Sequence, residues 1–222
     1  MDAVIVLSHV YKSYPMGELN LEVLNNISLT INQGEFVAIM GASGSGKTTL
    51  MNILGCLDRS DQGQYQLVEF DVSKANSDKL ARLRNKHIGF IFQSFHLLPR
   101  IDIIRNVELP LIYSAIPARQ RRIKAIAALT NVGLQDRLGH LPTQLSGGQQ
   151  QRVAIARALV TSPEVLLADE PTGSLDSQNG KEIMELFKQL NELGKTIVMV
   201  THEQDIANYA SRRIFMQDGK IV

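Results

Sequence analysis

The sequence contains no tryptophan and only one cysteine, Cys56, in 222 residues. A single cysteine cannot form a disulfide within the chain. An excess of one charge is also missing, because 23 Lys and Arg residues stand against 22 Asp and Glu residues, for a formal net charge of +1. This balance gives no support for a general binder of nucleic acids or other polyanions.

Long apolar segments are missing as well. The longest stretch without a charged side chain is 138–151, which is rich in Gln, Gly and Ser, whereas a membrane-spanning helix needs ~20 mostly apolar residues. The first residues, Met1 to Val4, lack the basic region and apolar core of a signal peptide. Together with the single cysteine, these features predict a cytoplasmic protein without a transmembrane segment.

The composition that remains is that of a globular protein, with 44% hydrophobic and 20% charged residues. A chain of this length can bury roughly 70% of its unfolded surface, which excludes disorder as the main state. No Pro-rich segment, run of like charge or internal repeat divides the sequence. The chain 1–222 is therefore expected to form one compact unit.

Short apolar runs alternate along the chain with longer segments of helical periodicity. The runs predict strands at 36–40, 88–92, 165–168, 197–200 and 214–216, and the alternation of Ile27, Leu29 and Ile31 predicts a half-buried strand before them. Helices are predicted at 49–57, 118–132, 149–161 and 177–193. This order favours an α/β fold with a mainly parallel central sheet. Residues of about 94–160 read as helices and loops without a strand, and predict a helical subdomain inserted in the α/β core.

A glycine-rich loop follows the 36–40 strand and precedes the 49–57 helix. It matches the pattern G-x-x-x-x-G-K-[ST], whose backbone N–H groups and helix N-terminus bind a polyphosphate. Its residues are Gly41, Ala42, Ser43, Gly44, Ser45, Gly46, Lys47 and Thr48. Lys47 is expected to reach the β- and γ-phosphates, Thr48 to ligate Mg²⁺, and Thr49 to lie near the α-phosphate.

Two carboxylates follow the 165–168 strand directly. Sites of this kind need a carboxylate at a strand end to hold the Mg²⁺ shell, and Asp169 fits that role. Glu170, one residue further, is the candidate general base that takes a proton from an attacking water. Acidic residues in this position also serve as turn formers or helix caps, so the assignment depends on the phosphate loop.

A phosphate loop alone leaves kinases, GTPases, helicases and transport ATPases open. The run Leu145-Ser146-Gly147-Gly148-Gln149 resembles the LSGGQ signature of the ATP-binding-cassette family, and it stands shortly before Asp169, as it does there. Ser146, Gly147, Gly148 and Gln149 lie at the start of a predicted helix, which makes a second anion site. The resemblance implies that this site completes the nucleotide site of a second copy of the chain.

Further family elements follow in the family's order. Gln93 resembles the glutamine that contacts Mg²⁺ or the attacking water and senses the transport partner, and His202 resembles the histidine that contacts the γ-phosphate. Asp176, in Ser174-Leu175-Asp176, resembles the loop that crosses to a second subunit. Tyr14 resembles the aromatic residue that stacks on adenine, and its choice over Tyr11 depends on the family's spacing.

The resemblance is closest to the branch that contains the macrolide-exporter and lipoprotein-releasing ATPases. It implies an ATPase subunit that uses ATP and Mg²⁺, forms an ATP-dependent homodimer, and reopens on hydrolysis. It also implies a P-loop NTPase core with an N-terminal antiparallel β portion. The expected partner is an integral membrane permease, either a separate subunit or a fused domain, on the cytoplasmic face of the inner membrane.

The alternative is a cassette ATPase that acts on nucleic acid or the ribosome. The long heptad repeats of chromosome-type relatives and the tandem cassettes of ribosome-type relatives do not occur here, so no nucleic-acid partner is expected. The apolar segment 94–110 is expected to divide between the subdomain core and a groove for a permease helix. Its part 101–105 departs from the branch's usual sequence, which leaves the permease and the transported substrate open.

Overall fold

The computed structural model describes residues 2–17 and 19–222. The strands are β1 (Ala3–Met16), β2 (Leu19–Asn32), β3 (Phe36–Gly41), β4 (Gln62–Leu67), β5 (Phe70–Asp71), β6 (Ile88–Phe92), β7 (Val165–Asp169), β8 (Thr196–Val200), β9 (Arg212–Gln217) and β10 (Lys220–Ile221). The helices are α1 (Lys47–Leu54), α2 (Ser77–His87), α3 (Ile103–Ile112), α4 (Ala118–Asn131), α5 (Gly147–Leu159), α6 (Ser177–Glu192) and α7 (Gln204–Ala207). Single 3₁₀ turns lie at Gln135–Arg137 and Pro142–Gln144.

The central sheet has the strand order β10-β9-β3-β8-β7-β6. Its neighbours are parallel except for the edge pair β9 and β10. The apolar runs of the sequence become its buried inner strands, because a parallel sheet covered on both faces needs side chains without charge on each side. The predicted α/β fold with a mainly parallel sheet is therefore confirmed.

Each face of the central sheet packs against its own hydrophobic core. On β3, Val37 and Ile39 point into one core, and Phe36, Ala38 and Met40 point into the other. The first core lies under the antiparallel sheet β2-β1-β4-β5 and includes the buried faces of α1 and α2. The second core lies under α3, α4, α5 and α6. Two layers of different structure thus cover one sheet.

The antiparallel sheet confirms the N-terminal β portion that the resemblance implied. Its first strand, β1, was not predicted from hydrophobic alternation, because the alternation is interrupted. His9 has φ 51°, and the pairing of β1 with β2 shifts register between Leu7 and Val10. Such bulges displace side chains from the period of two on which a sequence prediction depends.

The helix after the phosphate loop ends earlier than predicted. Instead of running to residue 57, α1 ends at Leu54, and Gly55 caps it by donating to Met51 O at 2.8 Å. Cys56 then takes φ 53°, which is incompatible with a continuing right-handed helix. The prediction of residues 49–57 was therefore wrong at its C-terminal end.

Between β6 and β7 the described residues contain helices and turns but no strand. Asp102 begins α3 by accepting a hydrogen bond from Arg105 N at 2.7 Å. Asn106, fully buried, binds the backbone of Leu98, Ile101 and Asp102, and so fixes the preceding loop against α3. The limits of the helical subdomain, about 94–160, stay a prediction. In the described part of the chain, no helix is both long and apolar enough to cross a bilayer.

Candidate nucleotide site

The glycine-rich loop joins β3 to α1, and its shape depends on three glycines. Gly41, Gly44 and Gly46 have φ values of 154°, 80° and 97°, which side chains with a Cβ rarely adopt. A Cβ on Gly46 would lie 2.8 Å from Val23 O and 2.9 Å from Leu24 Cδ2. The loop therefore curls tightly against β2, and its inner surface is lined by backbone rather than by side chains.

Lys47 lies across this loop. Its Nζ donates to Gly41 O at 2.8 Å and to Ala42 O at 2.7 Å. The ammonium is close enough to Asp169 to oppose in part the rise in pKa that burial and Glu170 cause there, so the two charges share one site. Ser45 adds a buried hydroxyl without a hydrogen-bond partner among the described residues. A buried donor of this kind is costly unless a ligand satisfies it.

The two candidate carboxylates lie where β7 ends. Asp169 is paired with Phe92 of β6 and with Val200 of β8, so it stands at the carboxyl edge of the sheet. Burial raises the pKa of Asp169, and the adjacent charge of Glu170 raises it further. A bound cation would relieve both effects, because it favours the ionised form.

Glu170 leaves the strand in a left-handed conformation, with φ 46°. Its backbone N–H donates to Val200 O at 3.0 Å, and its Oε1 lies 2.7 Å from His202 Nδ1. Its other oxygen, Oε2, is buried and has no partner among the described residues. The carboxylate is thus fixed by strained backbone and by His202, and one oxygen remains free to accept a proton.

Gln93 follows β6 at the same edge. It is exposed, and its side chain lies against Gly173, where an added Cβ would be 2.7 Å from Gln93 Nε2. Gly173 is held near the carboxylate because its N–H donates to Glu170 O at 3.1 Å. Gly173 was not predicted as part of the site, since it has no unusual φ and its role depends on this close approach.

The signature residues form the first turn of α5, which begins at Gly147. Ser146 and Gln149 make a capping box, in which Ser146 Oγ accepts from Gln149 N at 3.3 Å and Gln149 Oε1 accepts from Ser146 N at 3.1 Å. Gly148 is buried directly against Asn179 of α6. Ser146 is exposed, so the positive end of the helix faces outward.

Asp176 caps the neighbouring helix, α6. It accepts hydrogen bonds from Gln178 N at 3.1 Å and from Asn179 N at 2.9 Å, and these bonds lower its pKa. Because Gly147 packs on Leu175, with an added Cβ 3.2 Å from Leu175 Cδ2, the signature turn and this loop form one surface. The site residues therefore fall into two groups, one at the sheet edge and one at the two helix N-termini.

Tyr14, the candidate base-stacking residue, lies near the far end of β1 and is half-buried. Its hydroxyl donates to Asp58 Oδ2 at 2.6 Å. Lys12 Nζ lies 4.9 Å from the centre of the Tyr14 ring. Neither Lys12 nor Asp58 was predicted as part of the site, because they are far apart in the sequence and match no short motif.

Comparison with known proteins identifies the family to which this chain belongs. The family model described as ABC transporter matches residues 24–173. The ABC transporter ATP-binding protein YvrO of Bacillus subtilis is 52% identical over 218 residues, which cover 98% of this chain and 95% of that protein. The macrolide export ATP-binding/permease protein MacB of Vibrio parahaemolyticus is 52% identical over 221 residues, and the chain spans only 34% of its length.

Solved structures agree with this result. A dimeric ATP-binding cassette in a post-hydrolysis state, bound to ADP and Pi, has a TM-score of 0.89 and 46% sequence identity, with 98% of this chain and 96% of that chain covered. A second dimeric structure of the same protein, a bacterial ABC transporter cassette, has the same TM-score of 0.89 and 47% identity. This chain therefore belongs to the ABC transporter family, as an ATP-binding and ATP-hydrolysing cassette.

Proposed function

We propose that the sheet-edge residues hydrolyse MgATP while the signature residues of a second copy cover the same nucleotide. The observation that carries this proposal is the pair of Glu170 and His202 beside the phosphate loop. The positive charge of Lys47 is close enough to act on the pKa of both Asp169 and His202. The loop, the carboxylates and the histidine therefore surround one position. That position is where the γ-phosphate of a nucleotide in the loop would lie.

The residues present fit a magnesium ion as well as the nucleotide. Thr48, Gln93 and Asp169 offer a hydroxyl, an amide and a carboxylate, the hard oxygen donors that Mg²⁺ prefers. Asp169, whose pKa is raised by burial, is the anionic member of this set. When bound, the ion would neutralise charge on the β- and γ-phosphates.

The chemistry assigned to the chain's own residues is proton transfer and orientation. Glu170 accepts a proton from water, the water oxygen bonds to the γ-phosphorus, and the bond to the β,γ-bridging oxygen breaks to give ADP and phosphate. His202 orients Glu170 and contacts the γ-phosphate, and Gln93 orients the water or the ion. Lys47 and the loop N–H groups stabilise the phosphate charge.

The signature turn suits the role of a lid on the partner's nucleotide. Ser146 is exposed at the start of α5, so its hydroxyl and the first N–H groups of the helix are available to an anion from outside the chain. Two solved cassette structures similar to this chain are dimers. Asp176, on the same surface, is assigned to the contact between copies.

Glu170→Gln tests this function. The substitution keeps the shape of the side chain but removes the base, so turnover should fall by roughly 10²–10⁴-fold while ATP still binds. Because hydrolysis is what reopens the dimer, the variant should accumulate as a dimer with ATP, whereas the wild type with ADP should be a monomer. Size-exclusion chromatography with light scattering measures both states.

Ser146→Arg in the Glu170→Gln background is the matched control. It places bulk and charge on the trans surface and leaves the phosphate loop intact, so the ATP-dependent dimer should dissociate while ATP affinity of the monomer is retained. A Glu170→Gln variant that stays monomeric at saturating ATP would count against the dimeric site.

A permease is the proposed partner, because MacB relatives carry one in the same chain. The chain is then peripheral on the cytoplasmic face of the membrane, and the names of its relatives support transport over the nucleic-acid alternative. Export or release is the direction assigned by this similarity.

A groove of about 1290 Å³ between α2, the end of α3 and the end of α5 is the proposed docking site for a permease helix. Phe92 and His96 line it on either side of Gln93, which connects it to the nucleotide site. Of the segment 94–110, Ile103 and Ile104 are buried in the core and Leu98 lies outside the groove lining. The docking surface therefore extends beyond the segment that the sequence suggested.

A further inference from the structure

Lys12 is a charged side chain in the interior of the antiparallel sheet, with an exposed fraction of only 8%. Its ammonium contacts Asp58 Oδ1 at 3.2 Å, Arg59 O at 2.8 Å and Asp61 Oδ1 at 3.4 Å. Three acceptors satisfy its three donors, which is the condition under which a buried charge is tolerated. No step assigned above uses this cluster.

The cluster holds the ring of Tyr14 from two directions. Asp58 accepts the Tyr14 hydroxyl on Oδ2 at 2.6 Å while its other oxygen binds Lys12. The Lys12 ammonium lies 4.9 Å from the ring centre, in a cation–π arrangement. With the ammonium over one face of the ring and the hydroxyl tied down, only the opposite face is left for a planar ligand.

The same cluster joins this ring to the phosphate loop. Asp58 and Asp61 follow α1, the helix that begins with Lys47. Asp61 accepts from Ser13 N at 2.6 Å, and its own N–H donates to Tyr11 O at 2.9 Å. The segment after α1 is therefore bonded to both backbone and side chains of β1, which fixes the distance between ring and loop.

The cluster requires an ionised Asp58 and a protonated Lys12, and these are their charge states at neutral pH. Burial acts to raise the pKa of Asp58, but hydrogen bonds from Tyr14, Arg59 N–H and Lys12 outweigh it and lower the pKa. Burial acts to lower the pKa of Lys12, but Asp58 outweighs it and raises the pKa. Asp58 is thus an ionised carboxylate in contact with the Lys12 ammonium, next to the Tyr14 ring.

We infer that Lys12 and Asp58 are positioning residues, which fix the Tyr14 ring as a platform for the purine base at a set distance from the phosphate loop. The inference rests on the proposed function, since it requires the base to stack on Tyr14. It adds that the hydroxyl of Tyr14 and its two charged neighbours set affinity for the base, although none of them touches a phosphate.

The experiment compares ligands with and without a base. Calorimetry gives Kd for Mg²⁺-ADP and for Mg²⁺-tripolyphosphate with wild type, Tyr14→Phe, Asp58→Asn and Lys12→Met. Tyr14→Phe is the mildest variant, because it keeps the ring and removes only the bond to Asp58. Asp71→Asn is the matched control, since Asp71 pairs with Lys74 on the exposed surface of the same sheet.

Base stacking is worth ~1–3 kcal/mol, so Tyr14→Ala should weaken ADP binding about fivefold or more. The three positioning variants should lose part of this, about threefold to tenfold, with tripolyphosphate affinity within about twofold of wild type. In ATP hydrolysis, KM should rise by the same factor while kcat stays within about twofold, because the contact with the base is lost equally from the ground state and the transition state. Asp71→Asn should match wild type throughout.

Two results overturn the inference, and each is distinct. If Tyr14→Ala weakens ADP binding but Tyr14→Phe and Asp58→Asn do not, Tyr14 stacks on the base and the positioning role of Lys12 and Asp58 is wrong. If the variants weaken ADP and tripolyphosphate equally, the cluster merely stabilises the fold near α1. An unchanged Tyr14→Ala would instead refute the stacking part of the proposed function.

Discussion

His202 and Glu170 form a pair whose charge depends on pH. The hydrogen bond to Glu170 and the negative charge of that residue raise the pKa of His202 above 6.5. Because the folded-state pKa is raised, the pair stabilises the fold fully below pH ~6.5, and this stabilisation is lost as the pH rises through the folded pKa. The contribution to stability is small, since the His202 side chain is 69% exposed and solvent screens the pair.

A titration of His202 by NMR checks this coupling directly. In Glu170→Gln the partner carries no charge, so the pKa of His202 should fall from its raised value toward 6.5. Equal His202 curves in the two proteins would mean that the pair does not form in solution.

Residues of the candidate site differed in how well the sequence predicted them. Lys47 and Ser146 lie in contiguous motifs, where a local bend and a helix N-terminus impose fixed spacing. Lys12 and Asp58 meet only because β1 runs beside the segment after α1, 46 residues away. Contacts of this kind depend on the fold and leave no short pattern in the sequence.

At the scale of elements, Arg157 of α5 connects a helix to the loop that carries Gln93. Its guanidinium donates to Phe95 O at 2.7 Å and to His96 O at 2.5 Å. Phe95 and His96 have φ values of 57° and 48°, a conformation that is unfavourable for residues with a Cβ. Two charge-assisted hydrogen bonds therefore hold a strained turn next to the nucleotide site.

Arg157→Met keeps the length of the side chain and removes both bonds. The free energy of unfolding should fall by about 1.5–3 kcal/mol, measured by urea denaturation, and amide exchange of residues 95–97 should accelerate. Arg122→Met, on the exposed face of α4, should change stability by no more than ~0.5 kcal/mol. If exchange in the loop is the same in both variants, Arg157 does not hold the turn.

Elements were predicted best where their side chains are buried on both sides. β6, β7 and β8 are short apolar runs, and their limits were predicted to within one residue. α2 was not predicted, because only three of its residues, Leu80, Leu83 and His87, are buried. Three positions give too weak a helical periodicity to recognise in the sequence. β1 was missed for another reason, since its bulges break the alternation.

For the whole molecule, the two covering layers meet along the α2–α3–α5 groove. α2 covers the first core, and α3 and α5 cover the second. The rim is cationic, with one carboxylate, Asp78, against several basic side chains. These are Arg82, Arg84, Lys86, Lys124 and Arg157. Apolar surface inside this rim suits a short helix with acidic side chains.

Tyr113 gives the sharpest test of that docking site. It lines the groove with 82% of its surface exposed, and Leu193, at the end of α6 and outside the groove lining, is matched at 81%. Tyr113→Glu places a negative charge in the groove, where it repels the acidic side chains expected on the docking helix, so the fraction of the separately expressed chain that sediments with cell membranes should fall severalfold. Leu193→Glu should sediment like the wild type.

Basal ATPase activity should stay within about twofold in both variants, because exposed substitutions away from a site shift stability by ~0.5 kcal/mol or less. This measurement separates loss of docking from loss of folding. Equal sedimentation of the two variants, with activity retained, would place the permease contact on another face. A loss confined to Tyr113→Glu would support docking of the membrane partner at the junction of the two layers, beside Phe92 and the residue that follows it, Gln93.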